Sequence, residues 1–183
     1  MKTITRHNIY LPMTAMILTA ALALPAAAQH LVPCGPGVAP ICFNGTFQGS
    51  DDTSHEPPLV QSMTGIGTLV GQFSSTTNLT VTASGGTGSA QWVAVNGDTI
   101  STTVVGTPEG LSTPPCQVVG AQPGDHFLKI TETHIITGGT GRFAGVQGSF
   151  TLTLYHDLIP RSDGTHGTCG SYSGTITPPG AAR

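Results

Sequence analysis

From Phe43 onward the chain alternates apolar and polar residues with period two, in runs closed by glycine, proline or an Asn-Gly pair. No window repeats its apolar residues every three to four positions, as a helix face requires. Side chains two apart share one face of an extended chain, so the pattern dictates strands. Composition agrees: 25 Gly and 14 Pro interrupt the chain, and only 8% of residues are charged, too few to solvate long helices. The runs predict eight strands at 43–50, 65–74, 78–83, 89–95, 98–105, 127–137, 147–156 and 171–177. Asn96-Gly97 predicts a tight hairpin between the fourth and fifth, because a type I′ turn needs positive φ at both central residues. Residues 106–125 carry Pro108, Pro114, Pro115 and Pro123 and read as a long excursion outside any central strand. Gly85-Gly86-Thr87-Gly88 and Gly138-Gly139-Thr140-Gly141 both read as connections. Eight short strands at near-regular spacing predict an all-β closed barrel or sandwich.

Residues 1–28 have the layout of a cleaved signal peptide. Lys2 and Arg6 precede an apolar stretch from Ile9 to Pro25, and Ala26-Ala27-Ala28 supplies small residues for cleavage. Residues 29–42 then form an N-terminal loop and 43–183 the folded domain, with no transmembrane segment in the mature chain and a secreted or periplasmic destination expected. Four cysteines, an even number in an exported chain, predict disulfides. Of the three pairings, Cys34 with Cys42 and Cys116 with Cys169 are preferred. No two cysteines have the close spacing of a zinc site, and neither metal nor cofactor is expected. Six Lys and Arg against nine Asp and Glu leave no basic surface for nucleic acid. An outer-membrane barrel is disfavoured because the strands are Thr-rich where a lipid-facing apolar band would be needed.

Gly139-Thr140-Gly141-Arg142-Phe143-Ala144 fits a relaxed dinucleotide-binding pattern, but a Thr-rich strand follows where that motif opens a helix. The wider segment from Ile135 to Thr151, IITGGTGRFAGVQGSFT, resembles the signature of the allene oxide cyclase and dirigent protein superfamily. GTLVGQFSSTTNLTV, from Gly67 to Val81, and the VNGDTI turn, from Val95 to Ile100, are similar to exported bacterial proteins with such barrels. The resemblance spans roughly residues 65–177. It implies an eight-stranded antiparallel, allene oxide cyclase-like barrel that forms homo-oligomers, trimeric in many plant members, with a ligand or reactive intermediate in the barrel mouth. It carries over no catalytic residue.

Glu132 and His134 lie two apart on one predicted strand, on the face that also carries Leu128, Ile130 and Ile136. A carboxylate and an imidazole among aliphatic side chains could act as general acid and base. The alternative turns Thr131, Thr133 and Ile135 inward and leaves the pair on a solvated edge; this is the preferred placement, since charged residues are seldom buried. His156 joins them only if strand register puts it on the same face. Arg142 is a candidate for an anionic group, and Trp92 and Tyr155 are candidates for lining a pocket. His55, His126 and His166 read as solvated loop residues. The expected function is an exported barrel that binds one small, mostly apolar molecule in its interior. The alternatives are a cyclase or isomerase using Glu132 and His134, and a structural barrel acting through its loops.

Overall fold

The alternation is realised as eight antiparallel strands: β1 (Ile41–Asp52), β2 (Leu59–Gly67), β3 (Gly71–Thr82), β4 (Gly85–Ala94), β5 (Thr99–Leu111), β6 (Phe127–Gly139), β7 (Gln147–Asp157) and β8 (Thr165–Thr177). This computed structural model describes residues 40–54 and 57–179. The signal peptide, Cys34 and His55 therefore lie outside the described residues. Each strand pairs with its neighbours in sequence, and β1 closes on β8 from Ile41↔Ile176 to Asp52↔Thr165, giving a closed barrel. Among the described residues the only helical element is a single 3-10 turn at Gly141–Phe143, and no helix is long and apolar enough to cross a membrane.

Most predicted boundaries move, β6 running on through Gly138 and Gly139 of the second Gly-Gly-Thr-Gly, and four of the shifts are the most informative. The run 65–74 is divided by a turn at Thr68–Val70, where Leu69 adopts φ 65°, so its halves belong to β2 and β3. The first Gly-Gly-Thr-Gly is strand rather than turn: Gly88 faces Asn78 so closely that a Cβ would lie 1.8 Å from its carbonyl oxygen. β5 runs on through Pro108, because the register slips between Pro108 and Gly110 and a bulge needs no ladder N–H from proline. β8 starts at Thr165, six residues before the expected start.

Inward side chains divide the lumen into two halves. At the end where β2 turns into β3, β4 into β5 and β6 into β7, the rings of Phe43, Phe73, Trp92, Phe150 and Tyr172 pack at centroid distances of 4.6–6.2 Å, mostly edge to face. Such pairs contribute roughly 0.5–1.5 kcal/mol each beyond their buried area. Glycines on the neighbouring strands leave room for them: a Cβ on Gly67 would lie 1.8 Å from the Tyr172 hydroxyl, and one on Gly170 would lie 2.5 Å from Phe47 Cζ. Arg142 latches this end from outside. Its guanidinium donates to the Val70 carbonyl at 3.1 Å, pairs with Asp98 at 3.4 Å and lies over the Phe143 ring.

The wall outside the barrel carries hydroxyls and amides, such as Ser74, Thr76, Asn78 and Thr80 on β3, all exposed. Residues 112–126 fold back against β8, where Cys116 joins Cys169, and the Gln48 side chain donates to the Gln117 carbonyl at 3.1 Å. That pairing matches the expected one. Cys42 is disulfide-bonded as well, while its expected partner Cys34 lies outside the described residues. The bond between Cys116 and Cys169 closes a loop of 53 residues, for which chain entropy gives about 4 kcal/mol of stabilisation. Replacing both cysteines by serine is therefore expected to lower the unfolding free energy in denaturant titrations by about 4 kcal/mol. A loss below about 1 kcal/mol would show that the strap contributes little.

Candidate functional site

At the opposite end the lumen is hollow. A cavity of about 330 Å³ opens between the β1–β2, β3–β4 and β7–β8 connections, within the range of small-molecule sites. Its existence traces to glycine. Gly106 on β5 is paired with Glu132, and a Cβ on it would already touch the Glu132 side chain at 3.4 Å, while a Cβ on Gly86 of β4 would meet Leu79 at 3.8 Å. Leu59, Leu79, Leu128 and Ile130 supply apolar wall, while Asp51, Gln61, Glu132 and His156 supply the polar groups.

Two His–carboxylate pairs stand at this cavity, and they differ in what they leave free. His134 is wholly buried; its Nε2–H donates to Glu132 Oε2 at 3.2 Å and its Nδ1 lies 3.0 Å from the Thr102 hydroxyl. Its ring stacks on Phe150 at 4.7 Å and meets Trp92 edge-on at 5.9 Å. Both nitrogens are thus committed and the ring completes the aromatic plug. His156 donates from Nδ1 to Asp51 Oδ2 at 2.5 Å and stacks on His166 at 4.8 Å, while the His166 Nδ1–H donates to the Asp157 carbonyl at 2.8 Å. Each pair brings one carboxylate to the cavity wall.

Several buried polar atoms have no partner among the described residues: Asp51 Oδ1 and Gln61 Oε1 at the cavity, and the hydroxyls of Ser75 and Thr77 on β3 outside its lining. Asp51, Gln61 and Thr77 are register neighbours across β1, β2 and β3, so they form a polar belt around one side of the lumen. A buried acceptor left unmade costs about 1–3 kcal/mol, and ordered water or a ligand group is the usual remedy. Burial raises the Tyr172 phenol far above the ordinary range; its hydroxyl also lacks a partner.

The preferred solvated-edge placement of Glu132 and His134 is reversed. Glu132 is 1% and His134 0% exposed, against 54% for Ile135, because register carries the even positions of β6 inward with Ile136. His156 pairs with Leu128 across β6 and β7 and shares that inward face, which places it at the cavity. Trp92 is inside but in the plug, away from the cavity wall. Tyr155 sits at an odd position beside Cys169, on the outside, and Arg142 is consumed by its latch at the far end. Sequence reading missed Asp51 and Gln61. Asp51 continues the inward parity of Phe43 and Phe47 one residue past the predicted end of β1, and Gln61 lay in a stretch read as loop. A larger hollow of about 870 Å³ opens on the wall outside β1–β4, but it is shallow and its lining offers no titrating side chain.

Comparison of the chain with family models, with curated proteins and with solved structures finds no match.

Two predictions follow from the burial of these groups. Tyr172 favours the folded state while its phenol is protonated, so this contribution is fully present below the ordinary phenol value of about 10 and is lost as pH rises above it. In an ultraviolet titration one phenol should therefore ionise only together with loss of the near-ultraviolet circular dichroism, and Tyr172→Phe should remove that late phase without lowering Tm. His134→Phe strands the Glu132 carboxylate and should cost about 3–5 kcal/mol, whereas His134→Phe with Glu132→Leu should recover most of it. Additive losses in that cycle would mean that the two side chains do not depend on each other.

Proposed function

We propose that the protein is an exported binding protein of the allene oxide cyclase-like type, holding one small, mostly apolar molecule in the mouth-side half of its barrel. The observation that carries this reading is a half-filled lumen. One end is packed solid with aromatic rings, while the other keeps about 330 Å³ of space walled by aliphatic side chains with a few convergent polar groups. An eight-stranded barrel has room for side chains or for one small ligand, and here the two uses divide along its axis. Glu132 and His134 satisfy each other and Thr102, so binding is better supported than proton transfer by that pair. Export is supported by the leader-like first 28 residues and by the disulfide between Cys116 and Cys169, a bond that persists in oxidising compartments.

Native mass spectrometry of the protein purified from its own host, before and after mild organic extraction, tests the reading. The expected spectrum shows a small additional mass that extraction removes. An unmodified apo mass under both conditions, together with no uptake of added small apolar molecules, would contradict it.

A further inference from the structure

Resting on the reading of the cavity as a ligand site, we infer that its occupant is a small amphipathic amine. The ammonium sits at Asp51 and Gln61, and the apolar body lies along Leu79, Leu128 and Ile130. Three observations carry this. The first is the direction of the unmet hydrogen bonds. Asp51 and Gln61 are 2% and 1% exposed, line the cavity, and each keeps an oxygen with no donor. They are directly opposed across β1 and β2, which brings inward side chains to about 5 Å at Cβ. A carboxylate oxygen can accept more than one hydrogen bond, so a donor is wanted there whichever way the Gln61 amide is turned.

The second is charge. Among the described residues the cavity wall carries the carboxylates of Asp51 and Glu132 and no Lys or Arg. His156, the one basic group among those described lining residues, already gives its Nδ1–H to Asp51. A carboxylate or phosphate head group would enter this space with no cation to meet it, at a large desolvation cost. The third is the number of donors. A hydroxyl offers one hydrogen, but an ammonium offers three, enough for Asp51 Oδ1, Gln61 Oε1 and one further acceptor from a single atom. Charge-assisted bonds of this kind are roughly twice as strong as neutral ones. Glu132 remains facing the same space, its Oε1 turned toward Gly106, where no side chain intervenes.

The test compares hexylamine, n-hexanol and hexanoate at neutral pH by nitrogen-15 NMR titration of the mature protein, read at the amides of Asp51, Gln61 and Glu132. The expected order is hexylamine tighter than hexanol by about tenfold, with hexanoate weakest. Asp51→Asn and Glu132→Gln should each remove much of the amine's advantage over hexanol, and an unchanged far-ultraviolet circular dichroism spectrum shows that each variant is folded. Equal affinities for amine and alcohol, or a preference for hexanoate, would overturn the head-group assignment and leave the cavity as a ligand site. If none of the three probes moves those amides, the ligand-site reading itself falls, and this inference with it.

Discussion

The pairing of β1 with β8 is the constraint on which the rest depends. Without it the eight strands would form an open sheet with two edges and no interior; with it every ladder is satisfied and one row of side chains per strand must face a lumen. Closure also brings Asp51, at the end of β1, within reach of His156 on β7, across β8. The polar pair at the mouth is thus a consequence of the barrel, not of any local motif. The strap formed by Cys116 and Cys169 covers the outside of this seam and ties residues 112–126 to β8.

Side-chain volume decides how the lumen is used. Large rings enter from β1, β3, β4, β7 and β8 at one end, and glycines on facing strands leave space for them. At the other end Gly86 and Gly106 carry no side chain, and the space stays open beside Leu79 and Glu132. His134 marks the boundary, with one face of its ring in the aromatic cluster and one nitrogen on the carboxylate that looks into the cavity. A fully apolar lining would leave the hollow free to collapse. The belt of Asp51, Gln61 and Thr77, with acceptors and hydroxyls lacking partners, gives it a polarity that water or a ligand must answer.

Period-two alternation and turn chemistry made the eight strands legible, and Asn96-Gly97 marked its hairpin because the backbone requirement there is local. Glycine was ambiguous: Gly97 and Gly141 have positive φ at connections, whereas Gly88 sits in a strand because the neighbouring Asn78 backbone needs the room. Chain alone cannot separate these two uses. The same limit hid the site. Whether Glu132 and His134 face inward turns on a one-residue register choice, and their burial could be seen only once β5 and β7 were in place around them. Asp51 was within reach of the parity rule, one residue beyond where the strand was ended. Gln61 carried no signal, because two prolines just before it made a loop the natural reading.

The central claim is that one half of the barrel is solid and the other keeps a mostly apolar hollow edged by a few polar groups. A high-resolution crystal structure of the mature protein tests it most directly. The account predicts discrete density, from a small molecule or ordered water, in contact with Asp51, Gln61 and Glu132, with the His134 ring flat on Phe150. A mouth filled by collapsed aliphatic side chains, with Asp51 and Glu132 turned out to solvent, would contradict it.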